Sequence, residues 1–217
     1  SSNPKELTVV GDTLYFIADD GDNWPEIWMS DGTSSGSMMV KNIAGPRTDP
    51  NTNIAISPSQ LTASGNNLYF KHWHNDYNWY VLWKSDGTVD GTKPLIKSGN
   101  LYDLNDESSE LTPVGNLIFF NAMDITGSGL WVSDGTEDGT KRVKDINPNG
   151  SSMIDNLTAM GGTLYFRASD YTHGYELWKS DGTDAGTIMV KDINPDENPN
   201  EMYSSWPSNL TVVGDTL

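Results

Sequence analysis

Apolar residues along this chain come in short bursts, each closed by glycine, proline, asparagine or aspartate. Residues 156–193 show the pattern in full: NLTAM, the turn GGT, LYFRAS, a polar loop, YELWKS, the turn region DGTDAGT, and IMVKDI. Bursts of this length, rich in β-branched and aromatic residues and separated by glycine turns, predict four antiparallel strands joined by hairpins. The first turn carries Gly-Asp, Gly-Asn or Gly-Gly, which tolerate the positive φ of tight hairpins. Within the second strand, Leu-Tyr-Phe puts apolar side chains on consecutive positions, so both faces of that strand must be covered. A strand in a one-sided sheet would alternate instead.

The same order of landmarks recurs along the whole chain. SDGT places Asp31, Asp86, Asp134 and Asp181 at separations of 55, 48 and 47 residues. Trp28, Trp83, Trp131 and Trp178 stand two residues before the serine of each. Upstream lie the pairs Tyr15-Phe16, Tyr69-Phe70, Phe119-Phe120 and Tyr165-Phe166, and before them a Leu-Thr at Leu7, Leu61, Leu111 and Leu157, and once more at Leu210. Small sheets packed face to face against two neighbours satisfy the two-sided strand, as blades of a β-propeller do. An open or superhelical array of the same sheets is the competing arrangement. The expected fold is all-β, with β-propeller-type tandem repeats of four-stranded antiparallel sheets in a single repeat domain. The units run approximately 7–56, 61–107, 111–153 and 157–203, and 204–217 begins a fifth. SSNPKELTVVGDTL at 1–14 matches SSWPSNLTVVGDTL at 204–217 at 11 of 14 positions. Residues 204–217 are therefore expected to pack against a continuation of the array or another copy, head to tail.

EIWMSDGT, VLWKSDGT, GLWVSDGT and ELWKSDGT, with the tail KDINP, resemble the bacterial ELWxxDGT repeat. The resemblance covers essentially the whole chain. Unit one departs from it with SSGS in place of a Gly-Thr pair, and unit two lacks the Asp-Ile-Asn-Pro tail. The resemblance implies a secreted or surface-displayed propeller-like module of large proteins, and no defined chemistry.

Composition narrows the partners. With 30 acidic and 13 basic residues the formal net charge is −17, a field that repels nucleic acid and anionic lipid. No apolar run approaches the roughly eighteen residues of a membrane-spanning helix, so neither nucleic acid nor membrane insertion is expected. Without cysteine, neither disulfides nor thiolate metal sites can form.

Candidate chemistry lies in the loops. An aspartate in every SDGT fits a turn-building role for Asp31, Asp86, Asp134 and Asp181, since a catalytic site is normally single. The four repeated tryptophans read as packing residues between sheets. Asp19, Asp20 and Asp22 crowd ADDGDN, and Asp124 and Asp170 stand in equivalent places. Carboxylates with asparagine and backbone carbonyls suit calcium, with Asp19, Asp20, Asp22 and Asp170 as candidate ligands, against the simpler reading of solvated acidic loops. Asp145 and Asp192 form a second acidic line. Unit two breaks the pattern with KHWHNDYNWYVLW. There Trp73, Tyr77, Trp79 and Tyr80 could form a glycan-stacking platform, and His72, His74 and Asp76 a weak transition-metal hint. Asn149, Asn156 and Asn209 sit in Asn-x-Ser/Thr sequons. With only His72, His74 and His173 for histidine chemistry and no phosphate loop, no catalytic residue is assigned. The function expected is an extracellular structural or adhesive module of a bacterial surface protein or filament. Its partners would be other copies of itself or neighbouring repeats. The alternative is a carbohydrate-binding propeller.

Overall fold

The computed structural model describes residues 1–45, 57–97, 102–104, 110–195 and 204–217. Among these residues sixteen strands form four antiparallel sheets of four, each in sequence order. Sheet 1 holds β1 (Lys5–Val10), β2 (Thr13–Ala18), β3 (Glu26–Ser30) and β4 (Met38–Met39), and sheet 2 holds β5 (Ser59–Ser64), β6 (Asn67–His74), β7 (Trp79–Ser85) and β8 (Lys93–Pro94). Sheet 3 holds β9 (Thr112–Val114), β10 (Leu117–Asp124), β11 (Gly127–Ser133) and β12 (Lys141–Arg142), and sheet 4 holds β13 (Asp155–Met160), β14 (Thr163–Ser169), β15 (Tyr175–Ser180) and β16 (Ile188–Lys191). No helix occurs among the described residues. Pro94 and Pro113 lie on the edge strands β8 and β9, where a missing N–H costs no internal ladder bond.

The chain divides into two compact units, Ser1–Ile96 with sheets 1 and 2, and Lys97–Leu217 with sheets 3 and 4. In the first, β1 lies beside β5, where Thr8 Oγ1 donates to the Leu61 carbonyl (3.2 Å) and Leu61 N–H donates to Glu6 Oε2 (2.9 Å). In the second, β9 lies beside β13. A shared core between sheets 3 and 4 gathers Phe119, Leu130, Val132, Leu157, Leu164, Phe166 and Trp178. The consecutive apolar triplet is buried at every position in sheets 2 and 3: Leu68, Tyr69 and Phe70, then Ile118, Phe119 and Phe120. Burying both faces of one strand is what face-to-face packing of small sheets requires.

Two local devices shape the sheets, the first in all four and the second in sheets 1, 2 and 4. The β1–β2 hairpin closes on Gly11 at φ 59°, and Gly65, Gly115 and Gly161 repeat it within a few degrees. The residue before Leu-Thr adopts a left-handed conformation in Glu6, Gln60 and Asn156 (φ 53°, 59° and 54°), and a bulge follows in each first strand. The threonine hydroxyl secures the bulge by donating to the carbonyl of that same residue. Residues 204–217 reproduce both devices. Asn209 has φ 55°, Thr211 Oγ1 donates to its carbonyl, and Gly214 at φ 60° lets Val213 and Thr216 exchange N–H···O bonds. Antiparallel order puts the β1–β2 and β3–β4 turns at one end of every sheet, the DGT end. The β2–β3 loops and the links between sheets are at the other, the loop end.

Candidate functional site

At the DGT end the four turns are built alike. Asp31, Asp86, Asp134 and Asp181 each accept, at Oδ1, the N–H (2.9 Å) and the hydroxyl (2.6–2.7 Å) of the threonine two residues on. These bonds hold all four carboxyls below the usual aspartate range. The serine before each aspartate meets a second hydroxyl seven residues on: Ser85 with Thr92, Ser133 with Thr140, Ser180 with Thr187 (2.7–2.8 Å). Unit one's SSGS is conservative here, because Ser37 supplies the same oxygen to Ser30 at 2.7 Å. The second glycine of each turn has no alternative: a Cβ on Gly36, Gly91, Gly139 or Gly186 would stand 1.9–2.1 Å from the aspartate carboxylate.

A lysine from the preceding sheet ties each such turn within a unit. Lys41 Nζ donates to the carbonyls of Val89 (3.0 Å) and Thr92 (2.7 Å), and Lys144 Nζ to those of Asp184 (3.2 Å) and Thr187 (3.1 Å). Lys97, one residue later in its string, pairs with Asp138 instead. Trp83, Trp131 and Trp178 are buried and Trp28 is half-buried, with Phe70 and Phe120 stacked on Trp83 and Trp131 at 6.2 and 6.4 Å. All four indole N–H groups are buried without an acceptor among the described residues, so these rings act through area and shape.

The loop end differs from sheet to sheet. Asp20 Oδ1 accepts the N–H groups of Asp22 and Asn23, its Oδ2 accepts Asn23 Nδ2 (all 2.8–2.9 Å), and these bonds lower its carboxyl. Asp19 Oδ1 accepts Gly21 N–H (2.8 Å). Asp170 Oδ1 accepts Thr172 and His173 N–H, while its Oδ2 meets His173 Nδ1 at 2.7 Å. Asp22 therefore joins this loop through its backbone. Asp19, Asp20 and Asp170 spend their oxygens on their own turns, and among the described residues no three His, Asp or Glu side chains converge as a metal would need. His72 is buried, with its Nδ1 2.8 Å from the Trp73 carbonyl; burial pushes its pKa down to about 4, so it is a neutral core ring. The aromatics of sheet 2 pack on one another, with Tyr77 parallel to Trp79 (5.8 Å, 12°), Trp73 edge-on to Tyr80 (5.4 Å) and His74 against Tyr77 (4.7 Å). All of Trp73, Tyr77, Trp79 and Tyr80 remain half-exposed.

Three loop-end arrangements lie beyond what the motifs announce. The glutamate before Leu/Ile-Trp is fully buried and caps the outgoing link. Glu26 Oε1 accepts Ile43 and Ala44 N–H (2.7 and 2.6 Å), and Glu176 accepts Ile193 N–H, Ser205 N–H and the Ser205 hydroxyl (3.2, 2.9 and 2.6 Å). Burial raises Glu26 to about 7. In sheet 3 glycine replaces that glutamate, and the Arg142 guanidinium lies where a Cβ on Gly129 would be, 2.7 Å away, while Nη1 holds Asp124 at 2.9 Å. The recurring Glu and Lys of the repeat strings are the only sequence signal for these caps and ties. Finally, between sheets 3 and 4 at their loop end lies a cavity of about 170 Å³ lined by Asn121, Ser128, Met153, Ile154, Asp155, Arg167 and Tyr175. Arg167 forms an ion pair with Asp155 across the strands and lies 5.4 Å from the Tyr175 ring, which stacks on Trp206 at 4.3 Å.

No family model and no curated protein matches this sequence. Among solved structures it is similar to a puromycin hydrolase mutant, with a TM-score of 0.52 at 14% identity over 89% of this chain and 29% of that one. Weaker likenesses are to the Pyrococcus horikoshii acylaminoacyl peptidase (0.48, 14% identity, 87% of this chain and 27% of that one) and the β-propeller domain of the Trilobed protease from Pyrococcus furiosus (0.49, 11% identity, 88% and 55%). The chain spans less than a third of the puromycin hydrolase and acylaminoacyl peptidase chains. At these identities the likeness is one of fold: the chain is all-β, and its four-stranded antiparallel sheets are blades of the β-propeller type.

Proposed function

We propose that this chain is a non-catalytic structural or adhesive repeat module of an extracellular bacterial protein, joined end to end with further copies of itself. The observation that carries the reading is a contrast between equivalent residues. Val40, Leu95 and Val143, each nine residues after the DGT aspartate, are buried, whereas Val190, at the same offset but in a bulge that pairs Lys191 with Leu177, is 45% exposed. Likewise Leu111 and Leu157 are buried and Leu61 is half-buried, whereas Leu7 is 63% exposed. Sheet 4 thus offers the face that sheets 1 and 3 each cover with the next sheet of their unit, and sheet 1 offers a receiving face.

Residues 204–217 support the same reading. Ser205 N–H donates to the Tyr175 carbonyl (3.1 Å) just as Ser152 N–H donates to that of Ser128 (2.9 Å), so this segment docks on sheet 4 as the start of sheet 4 docks on sheet 3. Lys191 lies ten residues after its DGT aspartate, as Lys41 and Lys144 do, although a bulge pairs it with Leu177, and it has no acceptor among the described residues. Those lysines bind carbonyls three and six residues beyond a DGT aspartate, which in sheet 1 of a following copy are Ser34 and Ser37. Such a head-to-tail contact is heterologous and propagates or closes into a ring. The −17 charge opposes it at low ionic strength, so moderate salt should favour assembly. Sedimentation at increasing concentration and salt tests this. Assembly that Lys191→Glu or Leu7→Lys abolishes is the expected result, and a strict monomer under all conditions would overturn it. The extracellular location rests on the ELWxxDGT resemblance. A second reading, glycan binding by Trp73, Tyr77, Trp79 and Tyr80, is favoured by their partial exposure.

A further inference from the structure

We propose that the cavity between sheets 3 and 4 of the second unit binds one pyranose ring, at a site distinct from the aromatic cluster of sheet 2. The cavity exists because two smaller residues stand where sheets 2 and 4 have a long cation and a tyrosine. Asn121 and Ser128 of sheet 3 occupy the places that Lys71 and Tyr80 fill in sheet 2 and Arg167 and Tyr175 in sheet 4. In both of those sheets the cation lies over the tyrosine ring, at 5.2 Å for Lys71 and 5.4 Å for Arg167. Sheet 3 omits that plug, and the space left opens onto the Asp155–Arg167 pair.

The lining suits a compact neutral polyol. Arg167 and Asp155 neutralise each other, which disfavours an ionic ligand. Yet they keep alternating donor and acceptor edges, and Arg167 Nε is buried with no partner among the described residues. Vicinal hydroxyls, each both donor and acceptor, match planar guanidinium, carboxylate and amide groups. Met153, Ile154 and Tyr175 supply apolar surface for the C–H face of the ring. About 170 Å³ far exceeds the space of a single water, ~15 Å³, and falls short of the ~300 Å³ at which drug-sized pockets begin. That leaves room for one ring. The fold does not need a charge here, since sheet 1 places Ile17 at the position of Arg167. A partly buried ion pair retained where an isoleucine suffices costs desolvation without stabilising the sheet in proportion.

The test is titration of the isotopically labelled full chain, followed by NMR, with glucose, galactose, mannose and N-acetylglucosamine up to ~50 mM, a range that detects millimolar affinity. A parallel arm uses the matching trisaccharides, which distinguishes a free sugar from the terminal residue of a glycan. Saturable shifts at Asn121, Ser128 and Arg167 with at least one probe are expected. Ser128→Tyr, which installs the residue of sheets 2 and 4, and Arg167→Lys, which keeps the charge but loses the fork, should each weaken binding about tenfold or more. If Ser128→Tyr fails to fold, Arg167→Lys alone carries the comparison. Absence of shifts with every probe, shifts unchanged in the folded variants, or shifts confined to Trp73, Tyr77, Trp79 and Tyr80 would overturn the proposal. None of these outcomes bears on assembly, which sedimentation reads separately.

Discussion

The two ends of each sheet obey different rules. At the DGT end the turns use the same aspartate, hydroxyls and glycines, and even unit one's SSGS keeps every oxygen in place. At the loop end the four sheets solve the same position in three ways: Glu26 and Glu176 each cap a link, Arg142 fills the space above Gly129, and Val81 packs in the interior. Identity at one end shows a device that every blade needs in order to close its outer hairpin. Variation at the other shows where the blades are free to differ, and the open cavity, the half-exposed aromatic group of sheet 2 and the acidic ADDGDN loop lie there.

Paired glycine substitutions test this contrast most severely. Gly139→Ala drives a Cβ to 1.9 Å from the Asp134 carboxylate in a locked turn, whereas Gly129→Ala meets the flexible end of Arg142 at 2.7 Å. Chemical denaturation should show a loss of about 3 kcal/mol for the first, at the upper end for overpacking. The second should lose about 1 kcal/mol or less, because the guanidinium can move. Equal losses would remove the distinction between a fixed and an adaptable end.

The legibility of the chain followed the same division. Strands, glycine hairpins and DGT turns were readable because each depends on residues close in sequence: Gly11 must take φ 59° and Asp181 reaches only to Thr183. The bulge at Glu6, Gln60 and Asn156 had no propensity signal, since three different residues take one left-handed conformation that only pairing with the second strand imposes. Glu26 and Lys41 were visible as letters of the repeat, but their partners lie 17 and 48 residues away, so neither role could be read locally. The aspartates of ADDGDN looked like cation ligands on composition, yet their geometry spends them on N–H groups two and three residues ahead. The cavity could not be foreseen, because it arises from residues that are small relative to their counterparts in other sheets.

Glu26 gives the next largest effect. Burial raises its carboxyl to about 7 from the ordinary value of 4.5, with the charge of Asp20 acting in the same direction. The folded state therefore holds the proton more tightly than the unfolded state. Stability from this group is fully present below pH 4.5 and is lost as pH rises to about 7. In Glu26→Gln, which still offers an oxygen to Ile43 and Ala44 N–H, this loss should vanish. The difference in unfolding free energy between wild type and variant should then change by about 2–3 kcal/mol across that window, short of the ~3.4 kcal/mol of the full shift because the titration is incomplete at both ends. A difference that stays constant with pH would mean that Glu26 titrates alike in the folded and unfolded states.

The smallest effect tests whether the loop of sheet 4 is as lightly held as its exposure implies. The Asp170 carboxylate accepts a hydrogen bond from His173 Nδ1 and raises the imidazole above its ordinary 6.5, while the same bonds lower Asp170. A histidine raised in the folded state contributes stability that is complete below pH 6.5 and lost as pH climbs through its folded value. This window lies above the one that Glu26 opens, so the two groups separate by pH as well as by mutation. With its side chain 42% exposed, His173 shares its charge with solvent, and the contribution should stay under ~1 kcal/mol. His173→Asn removes the titration and keeps a donor toward Asp170, so its unfolding free energy should track wild type above pH 8 and fall slightly below it near pH 5. Salt should shrink that gap, because a half-exposed pair is screened. A larger gap at low pH, or one indifferent to salt, would show that this loop is clamped as firmly as a DGT turn and would erase the asymmetry between the two ends of the blade.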